Sequence, residues 1–219
     1  MEEKVRSTTI LCVRRGNETV IASDGQVTLG NMVAKGTAKK IRSFQKGKIL
    51  AGFAGSVADC MTLLDRLEKK LDQYEDLMRS CYELAKEWRT DKYIRNLEAS
   101  LIITDGKMIL SMSGDGNVLE PENSNIASVG SGSVFAISAA RALYENTNLS
   151  AEEIVKKAMH IAGEMCIYTN HHLSVEKINT KAQKSEPKAE KEPQKKGIFK
   201  KKDKKEGKKK LNFMIQFLK

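Results

Sequence analysis

The chain has only four cysteines, at positions 12, 60, 81 and 166, and neither their spacing nor the three histidines makes a C-x-x-C pair or a Cys/His cluster. That excludes the usual zinc and dithiol chemistries and leaves reduced, buried thiols as the expectation. No run approaches the roughly 18 apolar residues of a membrane span. Met1 to Ser7 is charged and has no apolar core, so it does not read as a secretory signal. The expected compartment is the cytoplasm. A P-loop is missing as well, so ATP is not expected on this chain.

Charge of one sign is also missing from most of the molecule. The formal net charge is +10, but residues 177 to 219 hold sixteen lysines and five acids, while residues 1 to 176 are within one charge of neutrality. A nucleic-acid reading of the whole chain loses its main support once the charge is located. At 219 residues the chain can build one domain with a sizeable core.

What is there comes in blocks. Thr8 to Val13 and Glu18 to Ser23 are β-branched or apolar, and Gly16-Asn17 between them predicts a hairpin. Lys40 to Phe44 and Lys48 to Phe53 flank Gln45-Lys46-Gly47 as a second pair of strands. Val57, Met61, Leu64, Leu67 and Leu71 then recur at helical spacing, predicting a helix from Ser56 to about Gln73, and Leu77, Cys81, Leu84, Ala85 and Trp88 mark another. Strands return at Ala99 to Thr104, Lys107 to Met112 and Ile126 to Val129, with turns at Asp105-Gly106 and Asp115-Gly116. Two more helices are expected, Ser133 to Glu145 and Ala151 to Cys166, the second opened by a Ser150/Glu153 capping box. Leu173 to Ile178 reads as a last strand. Strand blocks alternating with helix pairs predict an α+β fold, a four-layer αββα sandwich.

The expected organisation is a short charged leader over residues 1–7, a folded domain over 8–178, and a lysine-rich disordered tail over 179–219. Leu211, Phe213, Met214, Ile215, Phe217 and Leu218 close that tail after the lysine run. Such a segment suits either plain solvation or docking on an anionic membrane surface, a nucleic acid or a partner groove.

Thr8 opens the first strand a few residues from the start. As a terminus it would carry both a hydroxyl and an α-amine, and an amine with a pKa of roughly 7.7 to 8.0 can take the hydroxyl proton near neutrality. Such chemistry needs a cation nearby and donors for the oxyanion. Lys40, at the start of the third strand, and the backbone N–H of Gly52 are candidates. A buried Lys40 would need a carboxylate, and Asp24, ending the second strand, is the nearest in element order.

Several stretches carry a family resemblance: Thr8-Thr9-Ile10, Asp24-Gly25-Gln26-Val27-Thr28-Leu29-Gly30-Asn31, Ala51-Gly52-Phe53-Ala54-Gly55, Glu83 to Asp91, Gly130-Ser131-Gly132, Ala139 to Leu143, and Cys166-Ile167-Tyr168-Thr169-Asn170. In this order and spacing, from Thr8 to about Glu176, the chain resembles the HslV (ClpQ) family of bacterial threonine peptidases related to proteasome β subunits. The resemblance implies the N-terminal-nucleophile hydrolase fold. It also implies Thr8 as nucleophile and base, Asp24 and Lys40 as a charged pair, Gly52 as oxyanion donor and Ser131 as a supporting hydroxyl. Read from the residues alone, Ser131 is a helix cap. A sodium ion on main-chain oxygens of Gly163, Cys166 and Thr169 is implied too, and oxygen ligands suit a hard cation. The implied assembly is a dodecamer of two stacked six-membered rings. Its implied partner is a hexameric AAA+ unfoldase of the HslU type that feeds in unfolded protein substrates.

The chain departs from that pattern in a seven-residue leader, in Ser23 and Ser133 where glycine is common, and in the tail. While Ser7 is attached the Thr8 nitrogen is an amide, so cleavage between Ser7 and Thr8 is expected to precede activity. Two other classes compete with the peptidase. One is a ring subunit without activity, against which Thr8, Asp24, Lys40, Gly52 and Ser131 argue; the other is a small-molecule amidohydrolase.

Overall fold

The computed structural model describes residues 5–6, 8–92, 94, 97–113, 116–122 and 124–183. The expected turn at Asp115, most of the leader and the tail beyond 183, with its apolar end, lie outside the described residues.

Strands β1 (Val5–Arg6), β2 (Thr9–Arg15), β3 (Glu18–Ser23), β4 (Val27–Leu29), β5 (Met32–Lys35), β6 (Ile41–Phe44) and β7 (Ile49–Gly55) come first. Helices α1 (Val57–Gln73) and α2 (Leu77–Thr90) follow, then β8 (Ala99–Thr104), β9 (Ile109–Met112), β10 (Val118–Leu119) and β11 (Ile126–Gly130). Helices α3 (Ser133–Asn146) and α4 (Ala151–Met165), β12 (Ser174–Asn179) and the short α5 (Thr180–Gln183) complete the order.

Two antiparallel sheets form the centre, one ordered β11-β2-β3-β12 and the other β10-β9-β8-β7-β6. Period-two alternation decides what each strand faces. In β2, Ile10 and Cys12 point between the sheets, where they meet Ile21, Leu50 and Ile102. Leu11 and Val13 point the other way, onto Ile154, Val155 and Ala158 of α4. Because both faces of β2 are buried, its sequence shows an unbroken apolar run. On the outer side of the second sheet, the stripe Cys60, Leu63, Leu64, Leu67 and Leu71 of α1 packs with Leu84 and Trp88 of α2 over Phe53, Leu101 and Leu110. Each fully buried Leu or Ile contributes about 1.5–3 kcal/mol. The result is the expected αββα sandwich.

Chain ends of the elements follow local chemistry. Gly16 turns the β2–β3 hairpin at φ +63°, a conformation that costs glycine little. Ser150 accepts from the Glu153 N–H and Glu153 reaches back to the Ser150 N–H, the capping box expected at α4. Two features differ from the expectation. Val27–Leu29 and Met32–Lys35 form a hairpin that joins β1 in a third sheet, ordered β1-β4-β5. It escaped the pattern reading because Leu29, Met32 and Val33 are exposed, so no alternation of apolar and polar residues marks it. The residue preceding α3 is Gly132, with no side-chain cap, so Ser131 does not act as the cap.

Candidate active site

Thr8 sits where the leader enters β2, and it is buried. Its φ is +108°, unfavourable for a β-branched residue, so its neighbours must hold it there. The Ser131 N–H donates to the Thr8 carbonyl at 2.8 Å. Gly130, paired with Thr9 across the β11–β2 ladder, presses so closely on the Thr8 carbonyl that any side chain at 130 would overlap it. Ser131 therefore meets Thr8 through its backbone, as a consequence of the β11 register.

Thr9 continues the strand and brings in the carboxylate. Its N–H donates to Asp24 Oδ1 at 2.8 Å, and the Asp24 N–H donates back to the Thr9 carbonyl at 3.2 Å. The other carboxylate oxygen accepts from the N–H groups of Gln26 at 2.9 Å and Asn170 at 3.4 Å. Asp24 is fully buried, and three backbone donors plus a cation replace its lost hydration.

That cation is Lys40. Its Nζ lies 3.0 Å from Asp24 Oδ1 and also donates to the Gln26 carbonyl, with the whole side chain buried. Burial lowers the Lys40 pKa below the ordinary lysine value, and the Asp24 charge and hydrogen bond oppose that fall. Lys40 and Asp24 thus form a buried ion pair that reaches Thr9, the residue after Thr8, through the Asp24 carboxylate.

Gly52 lies next to this pair: it stands opposite Ile41 in the β6–β7 ladder, and the Phe53 N–H donates to the Lys40 carbonyl at 3.1 Å. Its lack of a side chain has a packing reason. A Cβ at 52 would point between the sheets, 2.6 Å from Ile10 Cγ2 and 3.0 Å from Ile21 Cδ1. The missing side chain makes room for the core. Ser23, the departure beside Asp24, is buried with its hydroxyl unpaired among the described residues.

Gly163, Cys166 and Thr169 fall at the end of α4 and in the loop behind it. Gly163 is in the last helical turn, Cys166 is the C-cap, and the Thr169 N–H donates to the Cys166 carbonyl at 3.0 Å. Carbonyls at a helix C-terminus lack intrahelical partners and carry the negative end of the dipole, so the oxygen set suits a hard cation. The Thr169 and Thr9 hydroxyls meet at 2.7 Å, and the Gly132 N–H donates to Thr9 Oγ1 at 2.9 Å. This loop therefore touches the strand that carries Thr8.

The pattern reading singled out neither Gln26 nor Asn170 for a role, although both stand in the stretches that carry the resemblance. Gln26 Nε2 donates to the Ile167 carbonyl at 2.9 Å, across 141 residues of chain.

Comparison with known proteins agrees with this geometry. The sequence profile of the proteasome subunit family matches residues 5–178. A protein of Sulfurihydrogenibium sp. (strain YO3AOP1), described as ATP-dependent protease subunit HslV, is 56% identical over 177 residues, covering 80% of this chain and 99% of that one. Among solved structures, eukaryotic HslV from Trypanosoma brucei superposes with a TM-score of 0.75 at 45% identity, covering 78% of this chain and 99% of its own. Thiobacillus denitrificans BPH, at 20% identity, TM-score 0.65 and coverage of 78% and 98%, shares the fold. With its buried Asp24–Lys40 pair bound to Thr9 and these relatives over most of its length, the chain belongs to the proteasome subunit family and, within it, to the HslV protease subunits.

Proposed function

We propose that this protease subunit hydrolyses peptide bonds of unfolded proteins with Thr8 as an N-terminal nucleophile, after residues 1–7 are removed. The observation that supports this most directly is the chain of contacts from Thr9, the residue after Thr8, through Asp24 to the buried Lys40, with the Ser131 N–H holding the Thr8 carbonyl.

Once Ser7 is gone, the Thr8 α-amine accepts the Thr8 hydroxyl proton and Oγ1 attacks the substrate carbonyl. The Lys40 ammonium favours the free amine over its protonated form and stabilises the developing alkoxide. Asp24 favours the charged form of Lys40 against the effect of burial. The tetrahedral oxyanion takes a backbone donor, the role assigned to Gly52, with the Ser131 hydroxyl in support. Amine protonation of the leaving group and attack by water on the Thr8 ester complete the turnover.

The leader fits the same reading. Val5 and Arg6 pair antiparallel with Leu29 and Thr28, occupying the edge of β4. Cleavage after Ser7 removes that strand and opens the edge to an extended peptide, which would bind by adding a strand. Main-chain oxygens of Gly163, Cys166 and Thr169 are the proposed holders of a sodium ion. When bound it supplies fixed positive charge to the helix end and braces the loop against Thr9.

The proposed assembly is a double ring of six-membered rings, served by a hexameric ATPase of the HslU type, in the cytoplasm. The domain division proposed is a leader over 1–7, a peptidase domain over 8–178 and a separate basic tail. N-terminal sequencing of the assembled protein, combined with labelling by a threonine-directed covalent inhibitor, tests the mechanism. The expected result is a start at Thr8 carrying the label. An active preparation that retains Glu2 to Ser7 by intact mass would refute it.

A further inference from the structure

We propose that Asn170 is a positioning residue that sets the Asp24–Lys40 geometry; this rests on the reading of Thr8, Asp24 and Lys40 as the catalytic centre. Asp24 and Lys40 lie on two chain segments that cross backbone against backbone. One holds Gly25, just after Asp24. The other holds Gly36 and Ala38, just before Lys40. At the crossing, the Ala38 N–H donates to the Gly25 carbonyl at 2.9 Å, and Gly25 lies so near the Gly36 carbonyl that a Cβ there would overlap it.

Asn170 binds both segments at once from the loop between α4 and β12. Its Oδ1 accepts from the Gly25 N–H at 3.0 Å and its Nδ2 donates to the Gly36 carbonyl at 2.8 Å. Its own N–H donates to Asp24 Oδ2 at 3.4 Å, and the His172 N–H donates to Oδ1 at 3.1 Å, which fixes the amide's orientation. An amide carries its acceptor and its donor on two separate atoms, which lets it bridge an N–H on one segment and a carbonyl on the other; an ionised carboxylate of the same reach has no donor. The crossing has no side chain of its own to hold it, because its closest members are glycines. Without the bridge, one segment can tilt on the other and shift the carboxylate relative to the ammonium. Misplacement by about 1 Å is enough to cost on the order of 100-fold in rate.

The test compares wild type, Asn170→Ala and Asn170→Asp, each prepared as the full chain with Thr8 as its first residue, on a fluorogenic peptide. Rates are normalised to assembled protein. The expected result is kcat lower by roughly 10-fold to 100-fold with KM within about twofold, and Thr8 labelled more slowly by a covalent inhibitor in the same proportion. A role in stability alone would lower Tm and leave kcat per assembled subunit intact, and that result overturns the proposal. So does recovery of kcat at raised sodium chloride, which would trace the loss to the α4 loop end. Should Asn170→Ala fail to assemble, Asn170→Asp decides by the same criterion, since it keeps the volume and the acceptor for Gly25 but loses the donor to Gly36. Thr8→Ala separates the two readings. An active Thr8→Ala enzyme refutes the nucleophile assignment, whereas an inactive one beside fully active Asn170 variants refutes only the positioning role.

Discussion

Lys40 Nζ and Asp24 Oδ1 stand 3.0 Å apart with both side chains buried, and this pair is the electrostatic centre of the site. Its partners are unequal. Asp24 also receives the N–H groups of Thr9, Gln26 and Asn170, whereas Lys40 also donates to the Gln26 carbonyl.

Lys40→Met therefore leaves a buried carboxylate that still has backbone donors but no counter-charge. Unfolding in urea should show a loss of about 3 kcal/mol, the low end for breaking a buried pair. The double variant Asp24→Asn/Lys40→Met should recover a good part of that stability and none of the activity. Peptide hydrolysis by Lys40→Met should fall by roughly 100-fold or more. Activity within tenfold of wild type would remove Lys40 from the mechanism.

The sandwich was legible because its helices carry regular stripes and its central strands carry unbroken apolar runs. Leu63, Leu67 and Leu71, or Ile10 to Val13, can bury their side chains in only one arrangement of layers. Asp24 and Lys40 were legible as a pair because one strand ends and another begins there, and a buried charge needs a partner. The β4–β5 hairpin was not legible, since Leu29, Met32 and Val33 face solvent and mimic no strand pattern. Nor could the sequence show that Ser131 grips Thr8 by its N–H, or that Asn170 bridges Gly25 and Gly36. Those contacts join residues more than 120 positions apart and end on backbone atoms of Thr8, Gly25 and Gly36, which every residue type possesses.

Gly130 and Gly16 make a controlled comparison, since both have positive φ, +97° and +63°. At Gly16 a Cβ meets nothing within 4 Å, while at Gly130 it collides with the Thr8 carbonyl. Gly16→Ala should cost about 1 kcal/mol from backbone strain alone and leave kcat unchanged. Gly130→Ala should displace Thr8 and abolish labelling by a threonine-directed inhibitor even where the protein assembles. Equal effects of the two on labelling would contradict the proposed grip on Thr8.

Cys12, Cys60 and Cys81 should not contribute to catalysis. Burial pushes the thiols of Cys60 and Cys81 up to about 12, with help from the charges of Asp59 and Asp76, and burial raises Cys12 further. Thiolate, the reactive form, is then scarce at neutral pH. A chromogenic disulfide reagent at pH 8 should leave these three thiols untouched in the folded enzyme and react with all four cysteines in urea. Fast loss of activity traced to alkylation of one of these three thiols at neutral pH would contradict this.

Arg15 closes the opposite end of β2 from Thr8. Its Nη1 donates to the carbonyls of Thr147 at 2.9 Å and Leu149 at 2.6 Å, its Nη2 donates to the Tyr144 carbonyl, and the guanidinium lies 4.2 Å from the Tyr144 ring centroid. One side chain thus serves carbonyls left over at the end of α3 and in the loop to α4. A lysine has no planar fork to reach three carbonyls and stack at once. Arg15→Ala should cost about 2–3 kcal/mol, lowering Tm by roughly 5–10 °C for a domain of this size, and Arg15→Lys should recover less than half of it. Because the strand separates Arg15 from Thr8 by about 20 Å at its usual rise, kcat per assembled subunit should stay within twofold of wild type. A matching fall in kcat would mean that the α3–α4 end of the sandwich is coupled to the site, and that Thr8 is not held by its local contacts alone.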